Sequence, residues 1–373
     1  MKILFTGGGT GGHVLPIIAI VREIRRISPK EKFDFFYIGP RDEISSILLS
    51  QEGIKVKEIL AGKIRRYLGW REILENIVDL FKIPIGFFQA FFHIFFLAPD
   101  LIFSKGGYGS ISAVLSGWIL GIPIFLHESD LAPGLANRFL SRFSSEIFVS
   151  FSRTEYFSPK KMILVGNPIR REILEGSKAK AQEIFKLSYK KPIILILGGS
   201  QGAQRINDML LQILPEILTN FELIHQCGER NFKEVQAEAN VVISENLKKY
   251  YHLFPFLREE QLKQAYAASD LICSRAGSGG IFEIAALGKP AILIPLPEAA
   301  QNHQVKNAYS YAESGACLVI EEANLTPHFF LEKLKYLLSH PDQLEKMQRA
   351  AKEFAKPQAA KIIAEYIVSY LTK

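Results

Sequence analysis

The sequence predicts an α/β chain of two domains, each a doubly wound parallel sheet. Short apolar strand signals alternate with helix-length segments, the pattern of βαβ units. They fall into two groups separated by a polar stretch near residues 166–190. Each group opens with a strand signal that runs into a glycine-rich loop, at 3–12 and again at 194–202. A chain of 373 residues, 48% hydrophobic and 22% charged, is long enough to give both groups a core. The expected domains are 1–165 and 166–356. Residues 357–373 should form a terminal helix that packs on one of them, with the N-terminal domain the expected partner.

In the first group, the apolar run at 3–5 leads into Gly7–His13, a loop with five glycines in six positions. Val14 to Ile27 then reads as a helix. Strand signals follow at Phe33–Ile38, Leu101–Ser104, Ile124–His127, Ile147–Val149 and Ile163–Val165. The second group has them at Ile193–Leu197, Leu223–Gln226, Leu271–Ser274, Ala291–Ile294 and Ala316–Ile320. The segment Pro99–Ile111 (PDLIFSKGGYGSI) aligns with Ser269–Ile281 (SDLICSRAGSGGI), seven of 13 positions being identical, and Lys105 faces Arg275. Each copy is followed by a helical stretch, then LGIP or LGKP, then a strand. Matching order over several elements makes duplication of one αβ plan the better reading than chance likeness between such folds.

Leu80 to Ala98 is apolar enough to raise the question of a membrane span. Lys82, Gln89 and His93, with Pro84 and Gly86, argue against one. Asp79, Lys82, Gly86, Gln89 and His93 recur at spacings of three or four, a polar stripe along one helix side. Upstream, Lys63, Arg65, Arg66 and Arg71 surround Tyr67, Leu68 and Trp70, which suits an anionic membrane surface. Composition alone slightly favours an ordinary core helix beside a solvated basic loop.

The net charge is +7, and residues 1–165 carry 20 Lys and Arg against 15 Asp and Glu. Such an excess serves phosphorylated substrates, anionic lipid or nucleic acid. No basic run or nucleic-acid motif supports the last. Cys227, Cys273 and Cys317 are scattered, so neither a disulfide framework nor a zinc site is indicated, and a reducing cytoplasm is the simplest home. Three apolar residues before the glycines are too few for a signal-peptide core.

Gly7, Gly9 and Gly12 match G-x-G-x-x-G, but the acid expected to hold a dinucleotide ribose is missing. The second strand signal runs into Pro40, and Asp42 and Glu43 lie beyond it. No P-loop follows either. His13 sits where the loop enters its helix. The helix N-terminus disfavours imidazolium there, so the ring can act as a general base, or it can simply order the loop. The loop Gly198–Ala203 offers backbone donors and the Ser200 hydroxyl to a phosphate, or is a tight turn. Glu283 can hold two ribose hydroxyls or merely suit a helix N-terminus. The amides of residues 301–304 suit sugar hydroxyls or a cap. These loops follow parallel strands, where open αβ sheets bind ligands, and two facing sheets would place ligands between them.

Together these motifs resemble the MurG family, the UDP-N-acetylglucosamine transferases that convert undecaprenyl-pyrophosphoryl-MurNAc-pentapeptide (lipid I) to lipid II. The likeness runs nearly end to end. It rests on Gly8–His13 (GGTGGH), Gly106–Tyr108 (GGY), His127 and Glu128, Pro133–Asn137 (PGLAN), Val165–Arg170 (VGNPIR), Gly198–Ala203 (GGSQGA), Arg275–Gly277 (RAG) with Glu283, and His303 with Gln304. The resemblance implies a GT-B fold of two facing Rossmann-like domains. It implies an inverting transfer without a metal or other cofactor, forming a β-1,4 bond in peptidoglycan and cell-wall synthesis, and hence a part in cell shape and division. Donor contacts carry over to Thr10, Gly11, Gly12, Asp130, Arg170, Ser200, Leu257, Ser278, Gly279, Gly280, Ile281, Phe282, Glu283 and Gln304. Leu257 would meet uracil through its backbone. Acceptor contacts carry over to His13, Gly106, Gly107 and Tyr108. The implied partners are UDP-GlcNAc, lipid I and an anionic membrane surface, with no nucleic acid. The implied location is the cytoplasmic face of the bacterial membrane, held peripherally through residues 63–97 with Trp118.

Two stretches depart from the family pattern. Ser129 and Asp130 stand where the family usually has Gln-Asn, and Ser278–Gly280 where it often has Ala-x-Thr. His13 is the preferred base, with Asp130 and Glu128 as alternatives. The rival activities are a UDP-GlcNAc 2-epimerase on the same two-domain plan, a transferase with another lipid acceptor, and a non-catalytic membrane scaffold.

Overall fold

The computed structural model describes residues 1–8, 11–62, 70–152, 156–199 and 202–372, with backbone alone for 70–75, 77 and 78. The chain divides into two compact units, Met1–Arg170 with Pro357–Lys373, and Arg171–Lys356.

The first unit is built on seven strands: β1 (Lys2–Thr6), β2 (Asp34–Pro40), β3 (Lys55–Ile59), β4 (Leu101–Ser104), β5 (Ile124–Glu128), β6 (Glu146–Val149) and β7 (Met162–Leu164). All neighbours pair parallel, in the order β3-β2-β1-β4-β5-β6-β7. The helices between them are α1 (Gly11–Ile27), α2 (Glu43–Gln51), α3 (Trp70–Leu97), α4 (Ile111–Ile119) and α5 (Leu135–Leu140). Helices on both sheet faces leave the strands apolar throughout: Ile3, Leu4 and Phe5 of β1 and Leu101, Ile102 and Phe103 of β4 are fully buried. β3 escapes the strand signals because it is an edge strand, with Lys55, Lys57 and Glu58 facing outward.

The second unit has six strands: β8 (Ile193–Leu197), β9 (Glu222–Gln226), β10 (Tyr251–Phe254), β11 (Leu271–Ser274), β12 (Ala291–Leu293) and β13 (Cys317–Val319). Their order is β10-β9-β8-β11-β12-β13, again all parallel. Its helices are α6 (Lys178–Phe185), α7 (Gln204–Asn220), α8 (Phe232–Val242), α9 (Glu259–Ala268), α10 (Ser278–Ala286), α11 (His303–Ala312), α12 (Pro327–Ser339) and α13 (Pro341–Phe354). Counted within each unit, the first six strands run in one spatial order. β4 and β11 carry the aligned sequence segments at equivalent places, as duplication requires. The edge strand β10, half-buried throughout, is the second strand without a clear signal.

The final helix, α14 (Ala359–Leu371), lies along α1, placing Ile363, Ala364 and Ile367 in one core with Phe5 and Ile17. Tyr366 packs edge-on against Phe125 and Phe148. At ~2 kcal/mol per aliphatic side chain, Ile363 and Ile367 together contribute roughly 4 kcal/mol to the first unit. The strand pattern puts the first boundary at 165, but Val165–Arg170 stays with the first unit. The Val165 and Gly166 N–H groups both donate to Val149 O, and His127 reaches Gly166 O.

α3 does not behave as a core helix. Of the 19-residue apolar window Asp79–Leu97, only 17% is buried, and by length and composition this helix could cross a membrane. Most of the polar stripe faces inward, with Lys82 half-buried and His93 exposed. Asp79 is buried, Gln89 Oε1 accepts from Leu60 N–H at 2.8 Å, and a Cβ at Gly86 would lie 1.7 Å from Leu60 O. The outward face is apolar: Phe81, Ile85, Phe88, Phe92, Phe95 and Phe96 are all about half exposed or more. Composition cannot register this inversion, because it does not say which helix side meets the body. The basic cluster Lys63, Arg65, Arg66 and Arg71, with Tyr67, Leu68 and the Trp70 side chain, lies outside the described residues.

Candidate active site

At the C-terminal ends of β1, β4 and β5 the first unit gathers most of its expected residues. β1 ends at Thr6, and Lys105 N–H donates to Thr6 O, so the loops after β1 and β4 leave the sheet side by side. α1 begins within the glycine run at Gly11, which puts His13 in its first turn. The His13 ring lies against glycine backbone. A Cβ at Gly8 would stand 2.9 Å from its Cε1, and one at Gly107 3.0 Å from its Nε2. Tyr37 on β2 donates to Gly7 O at 3.2 Å and steadies the turn from beneath. Burial, then the Lys105 charge, lowers the His13 pKa to about 4, so the ring is neutral near pH 7.

Gly106 and Gly107 have φ of +79° and +81°, which bare backbone alone adopts without strain. A Cβ at Gly106 would meet Asn137 Oδ1 at 1.8 Å. Asn137 on α5 is a bridge: Oδ1 accepts from Gly107 N–H at 3.3 Å, while Nδ2 donates to Glu128 Oε2 at 2.8 Å. The other Glu128 oxygen accepts from Asp130 N–H at 2.9 Å. Both Glu128 oxygens are therefore committed within the site, which counts against Glu128 as the base. Burial and the neighbouring Asp130 push its pKa up to about 7.

The sequence reading missed Lys105. Its buried ammonium donates to His127 Nδ1 at 2.7 Å, to Ser129 Oγ at 2.6 Å and to Asn167 Oδ1 at 3.5 Å. His127 Nε2 must then carry the proton, because it faces Gly166 O at 3.1 Å. Burial pulls Lys105 down to about 7, against the opposing pull of Glu128 and Asp130. The facing of Lys105 and Arg275 across the internal repeat was a sequence signal that could have singled it out. Tyr108 opens the single turn after Gly107, and Arg170 is nearly buried at the end of the first unit. Thr10 lies outside the described residues, while Gly11 and Gly12 open α1.

The second unit gathers a separate set at the ends of β8, β9 and β11. Ser200 lies outside the described residues, but the flanking turn is in place. Gln226 at the end of β9, also missed, joins two parts of it. Its Nε2 donates to Gly199 O at 3.2 Å and its Oε1 accepts from Leu257 N–H at 3.0 Å. The Leu257 side chain is buried and its N–H is engaged, so a base meeting Leu257 through the backbone must use the carbonyl or displace Gln226. After β11, Gly277 is the N-cap of α10, and Ser278, Gly279 and Gly280 form its first turn. Ile281 and Phe282 are fully buried in the core, with Phe282 against Phe354, so only their backbone can serve a ligand. Glu283 Oε2 accepts from Tyr266 O–H at 3.0 Å, which orients the carboxylate. Gln304 Oε1 accepts from Leu296 N–H at 3.0 Å. Just before it, Gln301 and Asn302 sit at φ of 58° and 54°, left-handed conformations that cost about 1–3 kcal/mol each. Asp42 caps α2 by accepting from Ser45 N–H at 2.9 Å, so the nearest acid after β2 is committed to local structure. Among the described residues no group of three His, Cys, Asp or Glu is placed to hold a metal ion.

Two family models match the chain: the glycosyltransferase family 28 N-terminal domain over residues 3–149 and the family 28 C-terminal domain over 193–363. A UDP-N-acetylglucosamine–N-acetylmuramyl-(pentapeptide) pyrophosphoryl-undecaprenol N-acetylglucosamine transferase 2 of Bacillus cereus is 38% identical over 372 residues. The alignment covers 98% of this chain and 99% of the relative. The chain belongs to the MurG family within glycosyltransferase family 28. A Clostridium tetani member is 37% identical over 344 residues, covering 92% of this chain and 91% of the relative. Among solved structures, Acinetobacter baumannii MurG superposes with a TM-score of 0.73 at 25% identity, covering 99% of both chains. A UDP-GlcNAc 2-epimerase of Neisseria meningitidis, bound to UDP-GlcNAc, gives 0.68 at 18% identity, covering 99% of this chain and 100% of that one; this likeness is one of fold. The GT-B architecture read from the motifs is thus the architecture of the family.

Proposed function

We propose that this protein transfers N-acetylglucosamine from UDP-GlcNAc to the C4 hydroxyl of MurNAc in lipid I, giving lipid II. The relatives' names supply the reaction, and the geometry fits it. On the geometric side one observation carries the reading: the His13 ring is packed on the bare backbone of Gly8 and Gly107, at the glycine turn that ends the central strand β4.

The proposed step is a single displacement with inversion. The acceptor O4 forms a bond to the anomeric carbon of GlcNAc as the bond from that carbon to the diphosphate breaks. His13 takes the O4 proton, and the electron pair leaves with UDP. The charge that develops on the diphosphate is assigned to the backbone N–H groups of the glycine loops, to Ser200 and to Arg170. Glu283 takes the ribose hydroxyls, the Leu257 backbone the uracil, and Gln304 and the first turn of α10 the sugar and phosphates. Gly106, Gly107 and Tyr108 hold the acceptor. Asp130 is the alternative base or a donor contact, whereas Glu128 supports Asn137 and the Asp130 backbone.

The exposed phenylalanine face of α3, with Trp118 and Ile119 at the end of α4 each 54% exposed, is the proposed peripheral contact with the cytoplasmic face of the membrane. An apolar face of this size suits an enzyme whose acceptor is anchored in lipid. Partners are then UDP-GlcNAc, lipid I and anionic lipid.

Incubation with UDP-GlcNAc and a lipid I analogue tests the activity. Lipid II formation is expected, with no UDP-ManNAc when acceptor is omitted and no transfer to diacylglycerol. Release of UDP-ManNAc, or preference for diacylglycerol, would replace this reading with an epimerase or a different transferase.

A further inference from the structure

Lys105 has no place in the reaction as described, yet it is a cation held next to the proposed base. It leaves the end of β4 beside His13. A Cβ built on Gly7 would lie 3.2 Å from His13 Cβ and 3.4 Å from Lys105 Cβ, so the two side chains flank one bare α-carbon. The polar partners of the ammonium are the neutral groups of His127, Ser129 and Asn167. Among the described residues no ion pair joins it to a carboxylate.

The internal repeat sharpens the contrast. Arg275 occupies the equivalent position after β11. It is ion-paired with buried Glu322 and donates to Ile294 O at 3.1 Å. One copy of the motif neutralises its cation with a direct carboxylate. The other bonds its cation to neutral partners, and the carboxylates of Glu128 and Asp130 act on it only through space.

We propose that Lys105, whose side chain leaves the backbone across Gly7 from that of His13, is a positioning residue for the transfer: its ammonium, fixed by His127, Ser129 and Asn167, holds the imidazole in the proton-accepting form. This rests on the reading of His13 as the base. The other titratable groups around the loop are Tyr37 from β2, Tyr108 after β4, and His127, Glu128 and Asp130 at the end of β5, while α1 has no acid in its first turn. Burial brings the Lys105 pKa down only to about 7, with Glu128 and Asp130 opposing the fall, so the ammonium is charged over the acid range in which His13 would otherwise protonate. Burial is the larger cause at His13 and Lys105 the second, so removing the lysine restores the ring only part of the way.

The test compares Lys105→Met and Lys105→Arg with the unaltered protein. His13 is followed by histidine-labelled NMR against pH, which needs no substrate, and kcat/KM is measured over the same range. In Lys105→Met the His13 titration should rise by about one pH unit, the scale of a like charge at this range. The acid limb of kcat/KM should move with it, while Lys105→Arg keeps both unchanged. Lys105→Gln, which retains a donor to His127, replaces the methionine variant if that one does not fold. A uniform loss of activity with an unmoved His13 titration would reduce Lys105 to a structural role and overturn the proposal. A moved titration in protein inactive on lipid I would uphold the electrostatic role and sink the transferase reading instead.

Discussion

Replacing Phe88 and Phe92 together by serine removes two neighbouring rings from the exposed face of α3. They are 59% and 56% exposed. A phenylalanine carries about 200 Å² of surface, so each ring presents about 120 Å² to solvent. At ~25 cal/mol per Å², full immersion in hydrocarbon is worth roughly 3 kcal/mol per ring. Half-depth immersion in the interfacial zone gives about 3 kcal/mol for the pair, a loss of roughly 100-fold in partitioning. Because most of both rings is already in solvent, the fold should lose little, and the melting temperature should fall by only a few degrees. Sedimentation with vesicles containing anionic lipid measures the partition coefficient, and neutral vesicles separate the apolar from the electrostatic share. Unchanged partitioning of the double variant, with the wild type bound, would refute the assignment of this face. So would loss of binding accompanied by collapse of the fold, since the rings would then be supporting structure.

Three further outcomes are expected. Gln226→Ala breaks the link between Gly199 O and Leu257 N–H, so UDP affinity by calorimetry should fall about tenfold, on the scale of ~1.4 kcal/mol for one hydrogen-bond bridge, with kcat at saturating donor little changed. Unaltered UDP binding would remove Gln226 from the donor site. Gly106→Ala places a methyl on Asn137 at a positive φ, and should cost about 3 kcal/mol or more in denaturant unfolding as well as activity; a loss under 1 kcal/mol would show that Asn137 swings away freely. Buried His225, lowered to about 3 by burial, stays neutral in the fold but protonates in the unfolded chain near pH 6.5. Stability is therefore full above pH 6.5 and is lost progressively as pH falls towards 3, with about 2 kcal/mol gone at pH 5 from this group. Equal unfolding free energies for the second unit at pH 7 and pH 5 would contradict that.

Much of this organisation is legible in the residues. Buried parallel strands must be apolar on both faces, so β1, β4, β8 and β11 announce themselves as runs, whereas β3 and β10 lie at edges where half the surface is wet. His13 was findable because a glycine run feeding a helix leaves few places for its first turn to go. Lys105 and Gln226 were hidden for a different reason. Their importance lies in partners brought from 22 to 62 residues away for Lys105, and from 27 and 31 residues for Gln226, which no local pattern encodes. Ile281 and Phe282 show the converse: adjacency to Ser278 and Glu283 suggests a ligand loop, but a helix buries one stripe of its side chains, and these two fall on that stripe. The orientation of α3 was illegible because an apolar helix with one polar side can present either side to its neighbours.

The return of α14 to the first unit bears on how the molecule is made. Ile363 and Ile367 belong to the same core as Ile3 and Phe5, yet they leave the ribosome only after the whole of the second unit. The segment Arg171–Lys356 has all its own strands before then and can close its two cores while the chain is still growing. Residues 1–170, though made before the second unit, wait with one flank of α1 uncovered until α14 has emerged. A chain interrupted near residue 357 would carry a finished second unit and an unfinished first one, and the exposed apolar side of α1 would be a natural target for chaperones and proteases.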